Sequence, residues 1–240
     1  MKPLILFIYF LIASLIPSDF IKKDIYKIDF EDAIISSNYL IDTNNKYVIQ
    51  KNSQNVALNN NYSRNGNTSI LYQLYPGEGR RETRFADIYN NETKVIRFSV
   101  FIPNDYPVPT SWNLIAQWWQ GAPASPAIAF ELEPNAKELK LRLMTRAGTV
   151  SDVSTLTHYN QKIEKDKWID FKVRFKVDDS GGKSGIFQVW KNGNRIVNYY
   201  GKVGYTDLKD KTNFRFGIYR NPEIKSTVRA YYDDISLSDF

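Results

Sequence analysis

The sequence predicts an all-β protein, an antiparallel β-sandwich or jelly roll in a single domain. Apolar residues recur at every second position over several short segments, polar turns rich in Gly and Asn separate them, and no long amphipathic helical period appears. Aromatics are abundant, with 16 Tyr, 14 Phe and 5 Trp against 2 Met, which suits sheets and stacking surfaces better than helical bundles. At 240 residues the chain can bury a substantial core without cross-links.

At the start, Lys2 precedes an apolar run over residues 4–16. That run is short for a membrane span and has the order of a secretory signal, so residues 1–18 are expected to be a signal peptide and 19–240 the domain. An uncleaved anchor is the competing reading of the same run. Export predicts a secreted, extracellular or periplasmic protein, monomeric and without stable membrane association once the signal is removed. The Asn-rich stretch 38–67 reads as loops and edge strands.

Strands are expected at 95–101, 112–119, 127–132 and 139–146. The cleanest is 168–177, with Ile169, Phe171, Val173, Phe175 and Val177 on one face and Asp170, Lys172, Arg174 and Lys176 on the other. Such alternation marks a strand with one buried and one wet face. After a polar loop at 178–185, strands at 186–190 and 195–199 flank Asn192-Gly193, a tight-hairpin signal. The segment 213–220 places Phe214, Phe216 and Ile218 opposite Arg215, Gly217 and Tyr219, and 228–237 closes the chain.

Composition excludes several chemistries. Cysteine is absent and His158 is the single histidine, so disulfides, thiolate metal sites and multi-histidine zinc cages are ruled out. The net charge of +6 steers polyanions. No dense basic tract, recognition-helix pattern or RNA-binding sheet motif accompanies it; an acidic polysaccharide meets the charge argument as well as nucleic acid does and is taken as the partner in its place, with a merely solvated basic surface as the competing reading.

Three segments have the residues for such a partner. Arg80 and Arg84 flank Glu82 after a Pro-Gly turn, and arginine pairs bidentately with carboxylate or sulfate. A surface salt-bridge cluster accounts for them equally well. Alternation puts Asn113, Gln117 and Trp119 on one side, an amide to meet a carboxylate and a ring to stack on a sugar, while Trp118 is read as core. Lys140, Arg142 and Arg146 share a strand face opposite Leu139, Leu141 and Leu143. Together with Arg215, Tyr219 and Arg220 they would make a basic groove.

Gln117-Trp118, the strand from Trp168, Val189-Trp190-Lys191-Asn192-Gly193, Gly217-Ile218-Tyr219-Arg220 and Tyr232-Asp233-Asp234-Ile235 occur in an order that resembles the jelly-roll polysaccharide lyases of the glucuronan lyase and heparin lyase I group. Arg80-Arg81-Glu82 and Gln117 are similar, more loosely, to alginate lyases of that fold. The resemblance implies a concanavalin A-like jelly roll and β-elimination at a uronic acid. Removing the C5 proton builds charge on the adjacent carboxylate, which must be neutralised while a base and an acid act. By position Gln117 matches the carboxylate-facing glutamine and Tyr219 the catalytic tyrosine. A free phenol titrates at about 10, so positive charge from Arg215, Arg220 or Arg142 is needed beside a tyrosine base.

Many relatives have histidine where this chain has Trp119, and His158 is the candidate replacement. The resemblance also implies a structural Ca²⁺ held by Glu31 and Asp234 from the two chain ends. Two other readings stay open. One is a non-catalytic, lectin-like domain for acidic glycans. The other is a glycoside hydrolase, for which Glu131 and Glu133 share a strand face.

Overall fold

Alternating burial along the strands resolves into two antiparallel sheets packed face to face. The structure is a computed structural model and describes residues 26–35, 39–42, 47–50 and 56–240; the expected signal peptide lies outside them. Strands β1 (Tyr26–Ile28), β2 (Ala33–Ile35), β3 (Tyr39–Asp42), β4 (Tyr47–Gln50), β5 (Val56–Asn59) and β6 (Ser69–Leu74) come first. Then follow β7 (Arg80–Tyr89), β8 (Lys94–Phe101), β9 (Asn113–Trp119), β10 (Ile128–Leu132), β11 (Lys140–Gly148) and β12 (Val153–Lys162). The chain ends with β13 (Trp168–Lys176), β14 (Gly185–Lys191), β15 (Asn194–Gly201), β16 (Gly204–Tyr205), β17 (Lys211–Arg220) and β18 (Val228–Asp239).

One sheet has eight strands in the order β15-β14-β13-β8-β18-β6-β5, with β1 also on β18; the other has seven, β12-β11-β10-β9-β17-β7, with β16 on β11. A small third sheet joins β2, β3 and β4. No described residue is helical. The expected jelly-roll sandwich is therefore the fold, and the expected strands recur with ends shifted by one or two residues. Strands β1, β2, β6, β12 and β16 were not among those expected; β12 has an exposed, polar sequence that gives no apolar alternation.

The core lies between the sheets and is largely aromatic. Trp118 of the seven-stranded sheet packs its ring 4.7 Å from Phe214 and 5.5 Å from Phe175 across the sandwich. Burying such a side chain contributes about 1.5–3 kcal/mol. Tyr232 on β18 crosses the layer, and its buried hydroxyl lies 2.8 Å from the Ile115 carbonyl and 2.9 Å from that of Gly217. Those carbonyls sit where β9 and β17 fall out of register, between the pairs Phe216–Ala116 and Tyr219–Leu114. The bulge turns Ile115 and Ala116 both into the core and brings Leu114 and Tyr219 together on the outer face. Gly217, at φ 121°, makes this possible, since a Cβ there would collide with the Arg81 carbonyl.

Candidate active site

The outer face of the seven-stranded sheet carries a cavity of about 490 Å³ whose lining includes Arg80, Gln117, Trp119, Arg146 and Tyr219. Strands β7, β17 and β9 are adjacent, so residues far apart in sequence meet on one surface. Gln117 is buried at the floor and donates through Nε2 to Glu82 Oε1 at 2.5 Å. Arg80 lies over the Tyr219 ring at 3.7 Å, and its Nε is 3.4 Å from Glu82 Oε2. Trp112 meets the same ring edge-on at 4.7 Å. The Tyr219 hydroxyl has no hydrogen-bond partner among the described residues and is not needed to hold the ring in place.

Glu82 is fully buried, and burial pushes its carboxyl above the ordinary range, against the Gln117 hydrogen bond and the charges of Arg80 and Arg215. The carboxyl lies within reach of the Arg80 and Arg215 charges. It also fixes the Gln117 amide, whose second N–H can still donate. Glu82 was not among the expected site residues, although its place between Arg80 and Arg84 at strand spacing puts all three on one face.

A second cavity of about 590 Å³ adjoins the first and shares Trp119 and Ala122 with it. Arg84 and Arg215 belong to this part. Arg84 pairs with Asp87, its Nε 2.9 Å from the carboxylate. Arg215 lies 4.6 Å from the Trp119 ring and donates to Asn213 Oδ1 at 2.6 Å. Burial lowers the pKa of Arg215, and likewise that of Arg146, which donates to the Pro126 carbonyl at 2.8 Å. Arg142 shares the face of Arg146 but is held by Glu131 at 2.7 Å. Glu131 is consequently buried in an ion pair, and Glu133 lies beyond the end of β10 with its Oε1 accepting from Asn160 at 2.8 Å. That arrangement does not suit the two carboxylates of a hydrolase.

Three expected residues lie elsewhere. Asn113 is on the core side, because the β9 bulge reverses its face, and it donates to Tyr106 Oη at 2.8 Å. Arg220 is fully buried, and its guanidinium donates to the carbonyls of Tyr75, Glu78 and Ser226 at 2.7, 3.1 and 2.7 Å, where it closes loops rather than facing the groove. His158 points towards the eight-stranded sheet, 4.5 Å from the Tyr199 ring and 2.7 Å from Thr145 Oγ1. Burial lowers its pKa, and it cannot replace a groove histidine.

Glu31 and Asp234 approach the same loop: Glu31 Oε1 accepts from the backbone N–H of Asn67 and Thr68 at 2.9 and 2.8 Å, and Asp234 Oδ2 accepts from Asn65 Nδ2. Among the described residues no group of three or more His, Cys, Asp or Glu forms a metal cluster. Among the described residues the second oxygen of each of these two carboxylates has no hydrogen-bond partner, so the donor chemistry fits a Ca²⁺ completed by amide or backbone carbonyls.

Residues 36–236 match the family model of polysaccharide lyases, and the chain belongs to that family; it is an enzyme, a polysaccharide lyase. No curated protein matches it in sequence. Among solved structures it is similar to the endo-β-1,4-glucuronan lyase of the fungus Trichoderma reesei, with 17% identity and a TM-score of 0.66 over 91% of this chain and 96% of that one. It is also similar to the cellulose-induced protein Cip1, at 14% identity and TM-score 0.58 over 90% and 97% of the two chains. The alginate lyase vAL-1 from Chlorella virus has 10% identity and TM-score 0.54 over 78% and 89%. Likenesses at these identities speak to fold.

Proposed function

We propose that this lyase cleaves a uronate-containing anionic polysaccharide, glucuronan-like or related, by β-elimination. The observation that carries the reading is the placement of the Gln117 amide and the Tyr219 phenol on one cavity wall, with Arg80 over the phenol ring. In this reading the substrate carboxylate sits between Gln117 and Arg80, which stabilise the charge that builds on it as C5 loses its proton. Tyr219 takes that proton and returns it to the glycosidic oxygen leaving C4. The C5–H and C4–O bonds break, a C4=C5 double bond forms, and no water is consumed. Trp119 offers a ring for stacking, and Arg146, Arg84 and Arg215 supply charge along the neighbouring parts of the groove. With His158 outside the groove, one tyrosine serves as both base and acid.

Purified protein given glucuronan, alginate and a heparin-type polymer should yield near-ultraviolet absorbance from unsaturated ends on at least one of them. Absence of absorbance on all three removes the uronate reading. The proposal includes export, directed by residues 1–18, and a structural Ca²⁺ at Glu31 and Asp234. Calcium should raise the melting temperature and a chelator lower it; the Asp234→Asn variant should lose that response, and an unchanged melting temperature would remove the ion.

A further inference from the structure

The Tyr219 ring is held by three sets of contacts. The Arg80 guanidinium covers its face at 3.7 Å, and Leu114, Ala129 and Met144 form a small apolar cluster against which it packs. The Trp112 indole meets it edge-on, with ring centroids 4.7 Å apart and planes at 69°. That is an arrangement aromatic pairs prefer, and it fixes tilt as well as distance. Because the Tyr219 hydroxyl bonds to no described residue, these ring contacts alone orient the phenol.

Trp112 is itself anchored. Its carbonyl accepts from the Asn221 N–H at 3.1 Å, and Asn221 Nδ2 lies 3.1 Å from Ser111 Oγ, to which it donates. These bonds staple the residues just before β9 to those just after β17, and the paired neighbours Leu114 and Tyr219 lie immediately inside the staple. The indole is half-buried, lines the active-site cavity and takes no part in the core between the sheets. Its removal therefore leaves the sandwich core complete. Arg80 has a charge to give to a substrate carboxylate, whereas Trp112 has none, so its hold on the ring does not compete with binding.

We propose that Trp112 is a positioning residue for the elimination. It holds the Tyr219 phenol at the angle from which the hydroxyl reaches first the C5 proton and then the leaving oxygen. This role rests on the tyrosine reading of the proposed function and deepens it, adding a residue that acts through the phenol rather than on the sugar. Trp119, at the other end of β9, is left to meet the polymer.

The test compares Trp112→Leu, Trp112→Phe and Tyr219→Phe, each in the full chain, on glucuronan, alginate and a heparin-type polymer. Trp112→Leu should lower kcat about ten- to a hundredfold, the cost of a misplaced reacting group, with KM nearly unchanged. Trp112→Phe, which keeps an aromatic edge, should restore most of kcat. Added to Tyr219→Phe, Trp112→Leu should cost little further turnover, since the two residues act as one unit. It should also leave the affinity of that protein for polymer in gels as it was. Equal losses in both backgrounds overturn the proposal, as do unchanged kinetics in a folded Trp112→Leu protein. A raised KM at unchanged kcat, or weakened polymer binding, overturns it by making Trp112 a sugar platform. A Trp112→Leu protein that does not fold also overturns it, because the indole would then be holding the fold. Loss of turnover in Tyr219→Phe with full turnover in Trp112→Leu sinks this inference alone. Retained turnover in Tyr219→Phe, or no unsaturated ends from the parent on any of the three polymers, sinks the tyrosine reading and this role with it.

Discussion

At the scale of single residues, Tyr219 and Glu82 separate chemistry from support. Because the Tyr219 hydroxyl bonds to no described residue, Tyr219→Phe should leave the melting temperature within a degree or two, while turnover falls by roughly 10²–10⁴, the range for loss of a general acid–base group. Near-normal turnover in this variant would take the tyrosine out of the reaction. Glu82 behaves differently, since burial raises its carboxyl above the unfolded value. A group raised in this way binds its proton more tightly when folded, so it favours folding at low pH and loses that contribution as pH rises through the folded value. Glu82→Gln should therefore flatten the decline of stability as pH rises above the ordinary carboxylate range, as measured by chemical denaturation across a pH series. It should also lower turnover by loosening Gln117.

At the scale of elements, the bulge in β9 and β17 decides which side chains reach the groove. Gly217→Ala should cost on the order of 1–3 kcal/mol, through strain at a positive φ, and should reduce turnover by moving Tyr219. Full activity in a destabilised Gly217→Ala protein would show that the bulge does not aim the tyrosine. By contrast His158→Gln, on the core-facing side of β12, should alter stability but leave turnover on polymer unchanged. A large loss of turnover in a folded His158→Gln protein would return the histidine to the site.

The same bulge explains how much of the site was legible. Strict alternation located β13 and the opposing faces of Phe214 and Arg215, because each strand has one buried side and the pleat repeats every two residues. It placed Gln117 and Trp119 correctly but sent Asn113 outward, since one extra residue between Ala116 and Leu114 reverses the face and leaves no mark in hydrophobicity. Alternation alone sets Arg220 opposite Tyr219, and charge drew it into the groove; its three carbonyl partners come from loops that no local pattern predicts. His158 was misplaced because a polar edge strand gives no periodic signal. Glu82 was readable in principle from its spacing, though not its burial.

At the scale of the whole molecule, the sandwich sets the candidate site on one sheet and backs it with the other. The seven-stranded sheet gathers Arg80, Gln117 and Tyr219 into one cavity, and the eight-stranded sheet closes the core behind it. Between them the aromatic core and the Tyr232 hydroxyl tie β18 to the bulge under the active site, so core packing and site geometry depend on each other. Cleavage by elimination, the step on which the proposed function depends, adds no water to the products. Mass spectrometry of the fragments from a defined uronate oligosaccharide tests it most directly. The masses of the two fragments should add up to that of the substrate, with the new double bond in the fragment carrying the former C4 leaving position. Fragments that together contain one added water would contradict it.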